Sequence, residues 1–439
     1  MPNAKLNQQA ILLIGEGDLT DETERALEAS KATVVRLCEP DESDVREALA
    51  GKVRAVAVVA RSDAIVLRMA LMVRAESQDV PLLLTIFDPT TAEQVAHVVP
   101  NTRVTSLADI VAPALAGPCI DERFASVTIE DGKPVGLVEQ EDGSVSEQPI
   151  PAPRPHRVEA LARALFTPYD KSAGMLLYGA IGLVAVFSIE TVTAVFTLDQ
   201  NVVDATYGSA KTLVTVDPNP KVADGPSWYK LFTSATMLIA LFFVAAFTAG
   251  LVNRVVERRL TGLLGRNAMP RRDHVVVVGL GQVGMRLCLV LRACRIPVVA
   301  VDSDADAESI GIAKELGLPV VIGRGADPSL MRRLSLHRAR AVAAVTADDL
   351  TNISVVMTAR GIHKDIRTVL RVGDGDIANE TRSLLALGLV RDVHRLAASL
   401  LAAQILGEGV ESVVCIGDHA HLRFPDGRLE RAGLETLAE

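Results

Sequence analysis

The sequence HVVVVGLGQVG at residues 274–284 decides the fold of the second half of this chain. Four consecutive valines are typical of a strand that is buried on both faces of a parallel sheet. The strand runs directly into the glycine pattern G-x-G-x-x-G, and a helix is predicted over residues 285–294. A second strand, residues 297–301, ends at Asp302, 18 residues after the last glycine. Because strand, glycine turn, helix and acidic strand end follow one another at the expected spacing, the segment predicts a Rossmann-type dinucleotide-binding unit.

The predicted ligand site lies at this glycine turn. Backbone amides beside glycine can approach a diphosphate, and the positive end of the helix dipole favours its charge. Asp302 can accept hydrogen bonds from ribose hydroxyls, which favours NAD over its 2′-phosphorylated form. Arg324 either reaches a phosphate or remains a solvated loop arginine, and a purely structural use of the whole motif is the alternative. The residues predicted to bind the cofactor are Gly279, Leu280, Gly281, Gln282, Val283, Gly284, Asp302, Ser303, Gly323, Arg324 and Thr346.

The first half of the chain carries a weaker version of the same pattern. An apolar strand at residues 10–14 is followed by Gly15-Glu16-Gly17, an acidic helical stretch and a second strand at residues 33–37. Thr20 replaces the third glycine, and Glu16 would place a carboxylate beside an incoming phosphate. We therefore predict a degenerate Rossmann-type copy with a structural role.

An internal repeat relates the two halves. The sequence RAVAVVARSD at 54–63 aligns with RAVAAVTADD at 340–349, 286 residues later, and Asp88 aligns with Asp374 at the same offset. The two glycine turns, however, are only 264 residues apart. The first copy is therefore predicted to lack one strand-loop-helix step, which residues 319–336 supply in the second copy.

Two long apolar runs lie between these halves. The first, residues 172–198, is interrupted by a single charged residue, Glu190, and the second, residues 231–252, has no charged residue. At about 1.5 Å per residue the second run is roughly 33 Å long, enough to cross a hydrocarbon core of about 30 Å. The pair predicts a transmembrane hairpin, with a buried helical hairpin of a soluble protein as the alternative.

Basic residues flank the hairpin and predict its orientation. The loop at residues 199–230 holds three lysines beside four aspartates, whereas arginines are concentrated outside both runs. The positive-inside rule therefore places both chain ends in the cytoplasm and the loop outside, in a multi-pass plasma-membrane protein. The flanking basic residues are Arg154, Arg157, Arg163, Lys171, Arg254, Arg258, Arg259, Arg266, Arg271 and Arg272.

Composition narrows the classes of function. The chain has 439 residues, and its mean hydropathy of +0.28 fits one membrane hairpin carried by soluble domains better than a many-span transporter. A formal net charge of −9, without a basic stripe, argues against nucleic acid as a partner. The five cysteines are scattered and include no C-x-x-C pair, which indicates reduced thiols. Cys415, His419 and His421 lie close together in sequence, but their spacing matches no metal site, and none is predicted.

Several stretches resemble one known family. VVVVGLGQVG, VVAVDSD and AVAAVTADDLTNISVVMTAR with the following VLRVGD resemble the RCK domain (regulator of potassium conductance), also called the Trk-type NAD-binding domain. Residues 10–117 resemble a degenerate copy of it. The resemblance implies cytoplasmic domains that assemble into rings, bind NAD, ATP or ADP as regulatory ligands, and gate a potassium pore. A two-span hairpin running into such a domain also resembles the layout of ligand-gated potassium channels.

The loop between the spans departs from the pattern of those channels, which place a pore helix before a T-V-G-Y-G filter. Residues 202–216 can form the pore helix. A filter aims successive backbone carbonyls at the ion, and proline fixes φ near −65°, so this ladder cannot form as it does in those channels. Asp217 either contributes to a ring of carboxylates in a tetramer, or the segment is a plain external turn. The residues at the filter position are Thr215, Val216, Asp217, Pro218 and Asn219.

Together these patterns predict two α/β Rossmann-type doubly wound domains that flank an α-helical two-span transmembrane hairpin. The predicted function is a homotetrameric, nucleotide-regulated potassium or cation channel-like protein without enzymatic activity. The alternatives are a non-conducting membrane-anchored nucleotide sensor and an NAD-dependent oxidoreductase, although no substrate domain with a catalytic His, Lys or Tyr follows the Rossmann unit. The predicted segments are a degenerate Rossmann-like domain (1–117), a small β-rich part (118–150), a basic linker (151–171), the hairpin (172–253) with its pore-like loop (199–230), a second linker (254–272), the NAD-binding domain (273–400) and a short tail (401–439).

Overall fold

The structure is a computed structural model that describes residues 10–130, 133–140, 145–150, 171–214, 220–256, 272–373, 377, 388–416 and 419–432. The chain divides into two compact units, which are described separately. The first unit comprises residues 1–154 and 270–439, and the second comprises residues 155–269. Most of both predicted linkers and the whole pore-like segment at 215–219 lie outside the described residues.

A parallel five-stranded sheet forms the N-terminal half of the first unit. Its strand order is β2-β1-β3-β4-β5, a doubly wound order, because strands alternate with helices along the chain. The apolar residues of β1 are buried on both faces, as a central parallel strand requires. The elements are β1 Ala10–Gly15, α1 Asp18–Ala29, β2 Val34–Leu37, α2 Glu42–Ala50, β3 Val53–Val59, α3 Asp63–Glu76, β4 Leu82–Thr85, α4 Pro89–Val98, β5 Thr102–Thr105 and α5 Leu107–Ile120.

Two small antiparallel sheets complete the first unit. The predicted β-rich part folds as β6-β7-β8. The tail folds as β15-β16-β17, and Leu137 of the first small sheet packs against Val414 and Ile416 of the second. The strands are β6 Phe124–Glu130, β7 Lys133–Glu139, β8 Val145–Pro149, β15 Ser412–Ile416, β16 His419–Arg423 and β17 Leu429–Arg431.

A six-stranded parallel sheet forms the C-terminal half of this unit, in the order β11-β10-β9-β12-β13-β14. The predicted Rossmann-type fold is thereby confirmed. All four valines of β9 are buried, which explains the uninterrupted apolar run. The elements are β9 Val275–Val278, α9 Gln282–Ala293, β10 Val298–Asp302, α10 Glu308–Glu315, β11 Val320–Ile322, α11 Pro328–Arg333, a short 3-10 helix Leu336–Arg338, β12 Ala341–Ala344, α12 Asp349–Ile362, β13 Arg367–Val372, β14 Leu389–Asp392 and α13 Val393–Leu406.

The two large sheets share a plan and differ by one step. In the second sheet β11 and α11 lie between β10 and β12, whereas in the first sheet β2 is followed directly by α2 and β3. This is the step that the repeat offset predicts to be absent.

A carboxylate that holds the end of a neighbouring strand recurs at aligned positions of the two sheets. Asp63 accepts the N–H of Phe87 and of Asp88 at 2.9 Å each, and Asp349 accepts the N–H of Gly373 at 3.0 Å.

Helices exchanged between the two sheets hold the first unit together. Helix α5 leaves the first sheet and packs on α9, while α13 leaves the second sheet and packs on α1. An ion pair between Asp109 on α5 and Arg286 on α9 joins the two halves. The segment boundaries predicted at residues 117 and 400 therefore fall inside α5 and α13, since each helix is shared by both halves.

The second unit is a helical hairpin. Helices α6 Lys171–Thr197 and α8 Ser227–Val256 pack along each other, and α7 Val202–Leu213 and a short 3-10 helix Pro220–Val222 lie between them in sequence. Two segments, Met175–Thr197 and Ser227–Val252, are long and apolar enough to cross a membrane. They are only 22% and 17% buried, so their apolar side chains mostly face outward, unlike those of a soluble core helix.

His274 makes the first unit sensitive to acid. Its side chain is fully buried before β9, where Nε2 lies 3.0 Å from the carbonyl oxygen of Leu334 and Nδ1 has no hydrogen-bond partner within the described part of the chain. Burial lowers the pKa of this imidazole to about 4. Unfolding therefore takes up a proton between the ordinary pKa of about 6.5 and pH 4, so stability is lost as the pH falls through this window.

We expect acidification from pH 7.5 to pH 5 to lower the free energy of unfolding by about 2 kcal/mol through His274. Burial raises the pKa of Asp392, so the contribution of this carboxyl to stability changes with pH in the direction opposite to that of His274. Asp392 is present in both the wild type and the His274 variant, so their difference reports the histidine. Urea unfolding of the wild type and of His274→Leu, followed by circular dichroism at both pH values, isolates the histidine. An unchanged pH dependence in the variant would contradict this assignment.

Candidate functional site

The glycine turn between β9 and α9 lets the backbone approach a ligand. Gly279 adopts a φ of +95°, in the region that favours glycine. A Cβ atom on Gly284 would lie 1.8 Å from the carbonyl oxygen of Gly279, so the third glycine allows the helix to start against the strand. A Cβ atom on Gly281 would meet nothing within 4 Å. The protein's own packing does not require a glycine there, and its missing side chain leaves space in front of the helix.

The first turn of α9 presents backbone donors to that space. Its first hydrogen bond runs from the N–H of Met285 to the carbonyl of Gly281 at 2.8 Å, and no side chain caps the helix. The N–H groups of Gln282, Val283 and Gly284 precede this bond and have no hydrogen-bond acceptor among the described residues. Three donors at the positive end of a helix suit an anion such as a diphosphate.

Asp302 stands beside the turn at the end of β10. Its Oδ2 accepts the N–H of Leu280 at 2.6 Å, and its Oδ1 accepts the N–H of Asp304 at 3.0 Å. A carboxylate offers about four acceptor sites, so both oxygens retain capacity for ribose hydroxyls. The amide of Leu280 is engaged with Asp302 and its side chain is buried, so this residue positions the carboxylate.

Thr346 closes the other side of the turn. Its Cα atom would lie 2.8 Å from a Cβ atom on Gly279. The N–H and hydroxyl of Thr346 both donate to Oδ1 of Asn352, at 2.9 and 2.7 Å, and Asn352 donates back to the carbonyls of Thr346 and Arg371. The sequence reasoning missed Asn352. A buried amide in the first turns of α12 could have indicated it, because a fully buried asparagine needs such partners.

The remaining predicted residues lie along the same edge of the sheet. The N–H of Gly323 donates to the carbonyl of Asp302 at 2.7 Å. Ser303 and Arg324 are exposed, and among the described residues neither donates or accepts a hydrogen bond with the turn, so their binding roles stay predictions. The structure thus brings the glycine turn, Asp302, Gly323 and Thr346 together at the carboxyl ends of the strands, where ligands of open α/β sheets bind.

The corresponding turn of the first sheet is a poor fit for an anion. The hydroxyl of Thr20 donates within the turn, to the carbonyls of Glu16 and Val59 at 3.2 Å each, and so fills the place of the third glycine. Asp18 and Asp21 occupy the first turn of α1. Two carboxylates at a helix N-terminus repel the charge that the helix end would otherwise attract. This geometry agrees with the predicted structural role of the first copy.

The hairpin holds a buried carboxylate. Glu190 is 3% exposed, and its Oε2 accepts the hydroxyl of Thr236 at 2.7 Å. A helix, α7 Val202–Leu213, is observed where the pore helix was predicted at residues 202–216, and its N-cap Asn201 accepts the N–H of Asp204 at 2.8 Å. Its role in a pore stays a prediction. The filter-position residues Thr215, Val216, Asp217, Pro218 and Asn219 lie outside the described residues, so their role stays a prediction.

A known domain family matches this sheet and its glycine turn. The TrkA-N domain family matches residues 275–389, from the first strand of the Rossmann unit to β14. The matched range contains every predicted cofactor-binding residue. The predicted resemblance to the RCK, or Trk-type, domain is thereby confirmed.

Curated relatives share this region. The voltage-gated potassium channel Kch of Escherichia coli (strain K12) is 23% identical over 217 residues, which are 48% of this chain and 52% of that protein. The Trk system potassium uptake protein TrkA homolog 1 of Methanosarcina mazei is 35% identical over 107 residues, 23% of this chain and 25% of that protein. The chain therefore spans about half or less of the length of these relatives.

Solved structures resemble both soluble halves. The crystal structure of the GsuK RCK domain matches with a TM-score of 0.51 at 15% identity, over 94% of this chain and 81% of that chain. The GsuK channel bound to NAD matches with the same TM-score over 94% of this chain and 67% of that one. At this sequence identity the likeness establishes only that the chain shares the fold of these structures.

Proposed function

We propose that this protein is a nucleotide-regulated, potassium channel-like membrane protein. Its TrkA-N domain binds NAD or an adenine nucleotide, and the bound nucleotide gates a cation pore formed by the hairpins of a tetramer. The observation that carries the proposal is the turn at Gly281, open in front of three free amides and beside Asp302, in a chain that also has two apolar helices.

The nucleotide assignment follows from the charge pattern of the turn. The free amides of the turn suit a diphosphate. Asp302 suits a ribose without a 2′-phosphate, because the negative charge of that phosphate would be repelled by the Asp302 carboxylate. The proposal makes the nucleotide a regulator and not a substrate. It is supported by the relatives, which are named as potassium channels and uptake proteins, and by the GsuK channel, which is described as bound to NAD and to ADP.

The membrane assignment follows from the hairpin. Two apolar helices with mostly outward-facing side chains match lipid. By the positive-inside rule, the basic flanks favour an orientation with both termini in the cytoplasm and the 199–230 loop outside. In this orientation the TrkA-N domain meets cytoplasmic nucleotide. Asp217 then lies in the external loop, where four copies would form a carboxylate ring that attracts cations.

One observation favours a second candidate, a membrane-anchored nucleotide sensor that does not conduct. The segment at 217–220 reads D-P-N-P, and its two prolines fix φ where a filter needs conformational freedom. Both candidates bind nucleotide at the same site. They differ in one property, because only the channel conducts ions.

Asp302→Ala is expected to weaken NAD binding at least tenfold, about 1.4 kcal/mol, because it removes both the ribose acceptor and the clamp on Leu280. Isothermal titration of the full chain in detergent measures the affinity. Asp304→Ala serves as a control, since the adjacent acid contributes only its N–H to Asp302. Equal affinity in the wild type and Asp302→Ala would remove Asp302 from the site.

A further inference from the structure

A charged cleft of about 350 Å³ lies between the two halves of the first unit. One wall is the exposed side of α1, and the other is formed by residues that follow β12 and β13. No residue of the glycine turn lines the cleft, and neither does Asp302. The cleft is therefore a space distinct from the nucleotide turn, although both lie at carboxyl ends of the second sheet.

The acidic groups of the cleft already have partners. Glu22 pairs with Arg25, Asp21 pairs with Arg36 at 2.7 Å, and the exposed Asp18 lies 3.7 Å from Arg61. Asp349 accepts the N–H of Gly373 with both oxygens, at 3.0 and 3.1 Å. These carboxylates are committed to holding helix and strand ends, so they do not call for a cation.

Arg371 differs from its neighbours. The residue is half-buried, and its Nε is buried with no hydrogen-bond partner among the residues that the structure describes, while its main-chain carbonyl accepts the amide of Asn352. Burial lowers the pKa of its guanidinium, the nearby Asp349 carboxylate raises it, and Arg61 acts in the same direction as burial. A buried guanidinium with unused donors is costly, because its hydration is lost without replacement. An anion supplied from outside would restore those hydrogen bonds.

We propose that this cleft binds a small oxyanion, a phosphate or carboxylate group, which Arg371 receives with Arg61 at its side. A guanidinium matches the oxygens of either group with two parallel N–H donors, which is why arginine suits this role. Arg61 follows β3 of the first half and Arg371 lies on β13 of the second, so the anion contacts both halves and stabilises their packing. The proposal does not depend on nucleotide binding at Gly281.

Thermal unfolding of the full chain in detergent tests the proposal. Sodium phosphate and sodium malonate are compared with sodium chloride at equal ionic strength, and circular dichroism reports the midpoint. In the wild type, phosphate or malonate is expected to raise Tm by about 2–4 °C beyond chloride. Arg371→Met should lose this rise, because it removes the guanidinium that receives the anion and replaces it by an uncharged side chain of similar length.

Matched variants separate this role from a structural one. Arg25→Met removes a cation that lines the same cleft but pairs with Glu22, and it should keep the rise. If Arg371→Met does not fold, Arg371→Lys retains the charge without the paired donors and should show a smaller rise. A rise with phosphate alone identifies a phosphate group, and a rise with malonate alone identifies a carboxylate.

Three results would overturn the proposal. The first is no rise beyond chloride in the wild type, and the second is a full rise in Arg371→Met. The third is loss of the rise in Gly281→Ala, which would place the anion on the glycine turn instead of in the cleft. Each outcome is read from the same midpoint measurement, so nucleotide affinity does not enter the decision.

Discussion

Gly281→Ala is expected to leave the first unit folded and to weaken NAD and ADP binding at least tenfold, about 1.4 kcal/mol. The backbone at Gly281 has φ −70° and ψ −168°, which any residue adopts, and an added Cβ atom meets no protein atom within 4 Å. The methyl group would instead stand in front of the α9 amides, where a diphosphate must approach. Calorimetric titration gives the affinity, and circular dichroism gives Tm.

Gly311→Ala is the matched control. A Cβ atom on Gly311 also meets nothing within 4 Å, but this residue lies in α10, away from the turn. Alanine favours a helix over glycine, so Tm should stay equal or rise while affinity remains that of the wild type. A folded Gly281→Ala protein with wild-type affinity would show that nucleotide does not bind at the turn.

The sequence predicted the second sheet closely. The strand expected at residues 297–301 is observed as Val298–Asp302, and the strand-loop-helix step expected within residues 319–336 begins with the strand Val320–Ile322. Buried parallel strands are short, apolar and bounded by proline or glycine, so local sequence marks their ends. The same is true of the first sheet, where the strand predicted at residues 10–14 is observed as Ala10–Gly15.

The packing between the halves could not be predicted in this way. Helices α5 and α13 are apolar, but nothing local indicates that each packs on the first helix of the other sheet. That exchange is a long-range contact, decided by which surfaces fit. The charged cleft with Arg371 follows from the same exchange, so the sequence patterns could not indicate it.

The sequence predicted that the glycine turn and Asp302 lie together, but it did not predict the residues that support them. The glycines and Asp302 follow a spacing set by ligand geometry, which a sequence can show. Asn352 is a support that acts through Thr346, and the amide of Leu280 holds Asp302. Such roles depend on which atoms meet in the folded chain, so spacing along the sequence does not reveal them.

Nucleotide-dependent potassium flux is the second large effect that we expect. A nucleotide can shift the equilibrium between open and closed pores only by as much as its binding free energy differs between the two states. A tenfold difference, about 1.4 kcal/mol, would change the ratio of open to closed pores about tenfold. Gly281→Ala should conduct at the basal rate of the wild type and lose this response, because the substitution lies in the soluble unit.

The central claim is tested most directly with the purified full-length protein in liposomes that carry a potassium gradient. We predict a potassium flux that changes when NAD or ADP is added to the side of the soluble domains, and that stays constant in Gly281→Ala. Protein that binds NAD with a Gly281-dependent affinity, yet passes no potassium with or without nucleotide, would contradict the channel assignment and leave the non-conducting sensor.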